Sequence, residues 1–310
     1  GPGCPMSVGG TPFAKRILMS ERHRGSADVV VIGGGIVGLS AAYFLARRDT
    51  RVVLLDKGRL GWEQSSRNWG FVRQQGRDPA ETPLMVLSNR IWSGLQAELD
   101  ADIEWRQGGN LALAQDGETL ERYAQGQRIA QDAGIHTRLL GREEVQALLP
   151  PLQGPFIGGL YTESDGQADP LKATLAFAKG ARAYGAEIRE YCAVESILTH
   201  GGRVCGVSTE QGDLQAPTVV CAAGVHSGFL CRTVGLNLPV RAVRSTVAAT
   251  APMAPLTALA VWGFGVGFRQ ARDGRFILGK ASAGTADYDV TLDSLRHLRM
   301  FLPIYLKNRE

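Results

Sequence analysis

At 310 residues the chain is long enough for one large domain or two interleaved ones, and its 44% hydrophobic and 21% charged content is that of an ordinary globular protein. A formal net charge of +4, with acids and bases interspersed, is too mild and too scattered to argue for a nucleic-acid partner. No apolar stretch is long enough to span a bilayer, and the longest, around Val29 and Val219, read as buried strands. The five cysteines are odd in number and form no C-x-x-C pair, so reduced thiols and a cytoplasmic location are expected. The five histidines are scattered without metal-ligand spacing, and no metal is expected.

Gly1-Pro2-Gly3 reads as a remnant of tag processing, and residues 1–26, with Lys15, Arg16, Arg22 and Arg24, as a flexible tail without the apolar core of a secretory signal. From Asp28 the pattern sharpens. An apolar β-branched run, Val29 to Ile32, meets a glycine turn, Gly33-Gly34-Gly35-Ile36-Val37-Gly38. The turn opens an Ala/Leu-rich helix to Arg48, and a second buried strand, Arg51 to Leu55, ends in Asp56. This is a βαβ unit with a dinucleotide fingerprint. Gly33 lets the chain leave the strand sharply, Gly35 keeps side chains away from a pyrophosphate, and Gly38 lets the helix approach the sheet. The helix start at Ile36 and Val37 offers free N–H groups to phosphate oxygens. Asp56 stands where a carboxylate accepts hydrogen bonds from ribose hydroxyls, with Lys57 beside it.

Residues 57–77 form a long irregular stretch rich in glycine, amides, Trp and Arg, of the kind that is usually functional. Pro79 to Leu99 reads as a helix, with apolar positions at Leu84, Leu87, Ile91, Trp92 and Leu95. Ile103 to Ala114 reads as paired strands about Gly108-Gly109, Gly117 to Gly134 as a polar helix, and Arg142 to Leu149 as a short one. A strand is expected at Phe156–Tyr161, then a helix from Asp169-Pro170 to Gly185. Strands follow at 187–191, 194–198, 203–209 and 218–221, then at 244–250, and 260–270 pairs with 275–279 as a hairpin over Asp273-Gly274. Leu292 to Leu306 reads as helical. The expected fold is α/β: a discontinuous Rossmann-like nucleotide domain from 28–100 and 166–238, with a second, β-sheet-rich substrate domain from 101–165 and 239–310. A ligand is expected between the two.

The linked motifs VVVIGGGIVGLSAAYFLAR, VVLLD, SSRNWG, AVESI and VVCAAGVHS, in that order over residues 28 to about 280, resemble the FAD-dependent D-amino-acid oxidase superfamily. More narrowly, the chain looks like its sarcosine oxidase and amino-acid dehydrogenase branch. The resemblance implies FAD as cofactor, its pyrophosphate on Gly33, Gly35, Ile36, Val37 and Gly38, and its adenosine ribose on Asp56. It implies that Ser65, Ser66, Arg67 and Asn68 pass the pyrophosphate and ribityl chain, that Val194 meets the adenine, and that Ala223 and Gly224 approach the flavin. Arg73 matches an arginine near the substrate carboxylate, and Arg269 a basic residue over the flavin ring; these two are the candidate catalytic residues. His226 stands where the family often has Trp and is left aside.

The implied chemistry is oxidation of the C–N bond of a small amine or amino acid by hydride transfer to flavin N5, the imine product then being hydrolysed. The lack of a Ser/His/Asp or Cys/His constellation suits a reaction that needs no such triad. The family's last strand, with a glycine/proline/aspartate motif capping the flavin, has no match before Glu310. An alternative is therefore a non-catalytic FAD-binding subunit, or one completed by a partner or a homo-oligomer. A third reading, an NAD-linked dehydrogenase, is disfavoured by the Ser65–Asn68 loop and by Ala222–Gly224.

Overall fold

A computed structural model describes residues 26–240 and 246–280. The expected tail up to residue 25, the helix over Leu292–Leu306 and the start of the strand expected from Arg244 lie outside the described residues. The described residues divide into two units, one holding the chain up to Arg67 and again from Pro170, the other Asn68–Asp169 and the described residues after Val243.

In the first unit Val29–Ile32 is the centre of a four-stranded parallel sheet, flanked by Val52–Leu55 and Thr218–Cys221, with Glu187–Arg189 at one edge. All four residues of Val29–Ile32 and of Val52–Leu55 are buried, as expected of parallel strands covered on both faces. Helix Ile36–Ala46 buries Gly38, Leu39, Ala42, Tyr43 and Ala46. It packs on helix Pro170–Ala183 through an edge-to-face contact of Tyr43 with Phe177, 5.6 Å between ring centres. On the other face Val30, Ile32, Val53 and Leu55 join Ile197, Val207 and Leu214 of an antiparallel sheet, Val194–His200, Arg203–Thr209 and Gly212–Gln215. Each such buried aliphatic side chain contributes about 1.5–3 kcal/mol.

The second unit is built on a seven-stranded mixed sheet. Its order is Val247–Ala249, Phe276–Lys280, Val266–Gln270, Ala260–Gly263, Asn110–Ala114, Gly158–Thr162 and Thr137–Gly141. Only the Ala260–Gly263/Asn110–Ala114 pair is parallel. The register sets two faces. Leu111, Leu113, Tyr161, Leu140 and Val261 form a core with Val145 and Leu149 of the short helix Arg142–Leu148 and its end. The opposite face carries Asn110, Ala112, Leu160, Trp262 and Arg269.

Four expectations are corrected. Residues 103–109 make no strand, only a bridge from Arg106 to Gln167, because Gly109 turns at φ 84 and Gly108 lies against the Ala258 carbonyl. The strand expected over 260–270 is itself a hairpin, turned by Phe264 (φ 54) and Gly265 (φ 72). Helix Thr82–Glu98 buries Leu95 but leaves Leu84 and Leu87 63% and 55% exposed, and it belongs to the second unit, not with the nucleotide-binding segments. Cys192, Cys221 and Cys231 are free thiols, but Cys205 is disulfide-bonded, against the expectation of a fully reduced chain. Among the described residues no helix is long and apolar enough to cross a membrane.

Candidate functional site

In the first unit the glycine turn is held from both sides. The Gly33 N–H donates to the Leu55 carbonyl at 2.8 Å, and the Ala222 N–H to the Ile32 carbonyl at 2.8 Å. Gly33 has φ 111, and a Cβ there would strike the Ala222 carbonyl. A Cβ on Gly38 would overlap the Gly33 carbonyl and stand 3.3 Å from Val31 Cγ1, so glycine is what sets the spacing of helix and strand.

Gly35 differs. Its backbone is ordinary extended chain, φ −83 and ψ 179, and a Cβ would meet only Ser65, at 2.9 Å from Oγ. Beyond it the helix opens with no acid in its first turn and no side-chain cap from Gly35. The Ile36 N–H donates to Ser65 Oγ at 2.9 Å, and Val37 is 66% exposed. Backbone donors at a helix start, a bare Gly35 and a hydroxyl already on the first N–H form a cradle that fits a dinucleotide diphosphate.

Asp56 closes the cradle. One carboxylate oxygen accepts the Gly34 N–H at 2.6 Å and the other the Gly58 N–H at 2.7 Å. A carboxylate has about four acceptor positions, so each oxygen keeps one for a ribose hydroxyl. Lys57 Nζ lies 2.9 Å from His226 Nε2 and 3.5 Å from a Glu63 carboxylate oxygen. His226, set aside on sequence, thus reaches the residue next to Asp56. Gly224 has φ 55, and a Cβ on it would lie 3.4 Å from the Gln64 amide oxygen. Ala223 and Gly224 therefore run beside the Gln64–Ser66 turn.

Not every expected cofactor residue converges. Ser66 donates to the Glu63 carbonyl at 3.3 Å, and the Arg67 guanidinium lies 5.7 Å from the Trp62 ring centre. Val194 is a half-buried residue at the start of its strand, packed on the core. Asn68 belongs to the second unit, where its side-chain oxygen accepts the Gly70 N–H at 2.9 Å.

The second unit holds a cavity of about 670 Å³. Its floor is Ala112, Leu160 and Trp262, and its walls are the Arg73–Arg77 loop and helix Gly117–Asp132. Arg73 is half-buried, with its guanidinium 5.1 Å from the Trp262 ring centre and donating to the carbonyls of Gln75 and of Gly76, the latter at 3.3 Å. Burial, and then the nearby Arg77, pull its pKa down to about 10, so it remains charged at neutral pH.

Sequence reasoning missed what fixes this loop. Asp165, fully buried, accepts the backbone N–H groups of Gln74 at 2.8 Å and Gln75 at 3.1 Å. Burial raises its pKa, and these hydrogen bonds oppose the rise. The Gln75 amide in turn donates to the carbonyls of Asn110 and Leu160 at 3.2 and 3.0 Å. The only signal in the sequence was an acid and a pair of amides beside apolar strands.

Arg269 is placed differently from Arg73. It is 3% exposed, and it donates to the Trp69 carbonyl and, at 3.3 Å, to the Gln167 amide oxygen. Burial holds its guanidinium below the usual range. Trp69 itself lies flat on the sheet where Gly267 and Gly279 have no side chains, beside Phe71 and Trp262.

Known proteins resemble this chain in sequence and in fold. The chain is 30% identical over 220 residues to sarcosine oxidase subunit beta of Rhizobium meliloti, matching 69% of this chain and 53% of that protein. It is 32% identical over 225 residues to glycine oxidase of Bacillus subtilis, matching 69% of this chain and 59% of that one. The crystal structure of L-proline dehydrogenase from P. horikoshii superposes with a TM-score of 0.79 at 27% identity, covering 92% of this chain and 79% of that one. The chain thus spans a little over half the length of these two curated relatives. The model of one family, FAD dependent oxidoreductase (DAO), matches residues 28–308, and the chain belongs to that family.

Proposed function

We propose that the chain carries the FAD-binding and substrate-binding parts of an oxidoreductase acting on the C–N bond of a small amino acid, of the sarcosine, N-methyl or D-amino-acid type. FAD, when bound, supplies the hydride acceptor. Gly33, Gly35, Gly38 and the N–H groups of Ile36 and Val37 hold its diphosphate, with Ser65 as a hydroxyl partner and Asp56 on the ribose. Lys57, Ser66, Arg67, Asn68, Val194, Ala223 and Gly224 remain its proposed neighbours along the rest of the molecule.

The observation that carries the substrate reading is Arg73: a half-buried, charged guanidinium on the wall of a cavity whose lining, among the described residues, has no Asp, Glu, His or Lys. A guanidinium in that setting binds a carboxylate as a forked pair. The described lining offers no carboxylate or imidazole as a general base, and on this reading the amine enters neutral, having released its proton to solvent. The imine product leaves and is hydrolysed by water. Arg269, spent on Trp69 and Gln167, acts as a positioning residue for the Trp69–Gly70 segment.

The test is to load the chain with FAD, mix it anaerobically with sarcosine, other N-methyl and D-amino acids, and follow flavin absorbance. Bleaching is expected, with Arg73→Lys raising the half-saturating concentration by about ten-fold or more. A chain that takes up no FAD, or an unchanged half-saturation in the variant, refutes the reading. A second reading has its own support: one relative is a beta subunit, of which this chain spans 53%. On that reading the chain alone binds FAD without turnover, and activity appears only with a partner subunit.

A further inference from the structure

We propose that the cavity of the second unit selects an amino acid carrying a second acidic group, with Arg73 taking the α-carboxylate and Arg122 the distal one. The inference rests on the oxidase reading and adds a substrate class to it. Three guanidinium groups, from half-buried Arg73 and exposed Arg77 and Arg122, line the cavity, and among the described residues no carboxylate does; Asp165 and Glu81 act on Arg73, and Asp116 on Arg122, from outside the lining. Such a one-signed, partly enclosed lining concentrates anions.

Arg122, an exposed residue of helix Gly117–Asp132, lines the cavity together with the Arg73–Arg77 loop. Its guanidinium donates to Thr119 Oγ1 at 3.3 Å and lies 5.9 Å from the Tyr123 ring centre. Ala112, Leu160 and Trp262 lie on the floor below and suit the methylenes that would join two carboxylates. At about 670 Å³ the cavity is far larger than a molecule of sarcosine's size needs and falls in the range of ordinary ligand pockets. After burial, the nearby Arg77 charge disfavours the charged form of Arg73, while Asp165 and Glu81 favour it.

The probes are glutarate and butyrate, which differ by one carboxylate and are not oxidised, titrated calorimetrically into the full chain at low salt. Glutarate is expected to bind about ten-fold more tightly than butyrate. Arg122→Ala brings the ratio close to one, and Arg122→Lys restores part of it. Equal binding of the two acids, or a preference that survives Arg122→Ala, overturns the proposal. Flavin bleaching separates it from the reading beneath it. Bleaching by N-methyl amino acids with no advantage for N-methylglutamate sinks the acidic subsite and leaves the oxidase. An Arg122-dependent preference for glutarate in a chain that takes up no FAD sinks the oxidase and leaves the acidic subsite.

Discussion

Alanine at Gly35 and alanine at Gly38 should separate cofactor binding from folding. At Gly38 a Cβ overlaps the Gly33 carbonyl, which is backbone, and has Val31 at 3.3 Å behind it. Neither neighbour is free to move, so helix and strand must part, at a cost of about 1–3 kcal/mol or more. At Gly35 the backbone angles, φ −83 and ψ 179, suit any residue. The added methyl meets only Ser65 Oγ, at 2.9 Å, the end of a side chain in an irregular segment. Shifting that oxygen disturbs its hydrogen bond with the Ile36 N–H, so apo stability should fall by about 0.5–1 kcal/mol. The same methyl stands among the donors of the cradle, where it holds a phosphate off the Ile36 and Val37 N–H groups. FAD affinity should drop about 100-fold, equivalent to losing two or so charge-assisted hydrogen bonds. Urea unfolding of the apo chain gives the first quantity, and quenching of flavin fluorescence on titration gives the second. Gly35→Ala binding FAD as tightly as the wild type, or unfolding as readily as Gly38→Ala, would refute the assignment of the turn.

Three further outcomes are expected. Arg269→Met leaves the Trp69 carbonyl and the Gln167 amide oxygen without their buried donor and should cost about 3 kcal/mol in denaturant unfolding; a loss under about 1 kcal/mol would show that this guanidinium is not structural. Asp165→Asn replaces an acceptor with a donor facing the Gln74 and Gln75 N–H groups and should cost about 1–3 kcal/mol at neutral pH. Because burial raises the Asp165 pKa above 3.8, its contribution to stability is complete below that value and is lost as pH rises through the higher folded value. The wild type should therefore lose more unfolding free energy than Asp165→Asn between about pH 4 and pH 7, and parallel pH curves would contradict the burial argument. Gly279→Ala drives a methyl into the Trp69 indole; a red-shifted, more exposed tryptophan emission and a loss of about 1–3 kcal/mol are expected, and an unchanged spectrum would count against Trp69 lying on the sheet.

Much of the nucleotide-binding half was legible because its information is local. The strand, turn, helix and second strand fall within residues 28–56, and each glycine answers to a neighbour in the same unit. The helix starts at Gly117 and Pro170 were equally plain, the second because an acid and a proline at a helix start act over three or four residues. Errors arose where a local pattern met a distant constraint. The apolar Leu84 and Leu87 fit a buried helical stripe, yet the helix turns Leu95 inward and leaves them exposed. The hairpin inside 260–270 hides in a run of apolar and glycine residues whose turn is set by two positive φ angles.

By itself the sequence determined the family and the βαβ turn, because a glycine turn, a helix start and a strand-end acid need only short-range order to come together. The tertiary structure alone decided how the two arginines differ. Asp165 reaches Gln74 across 91 residues and so fixes the loop that aims Arg73 at the cavity. Arg269 meets the Trp69 carbonyl across 200 residues and is buried there as a brace. Both are isolated charges in the sequence; desolvation and hydrogen bonding, which depend on what the folded chain packs around each, leave one half-buried on a cavity wall and the other buried against Trp69 and Gln167.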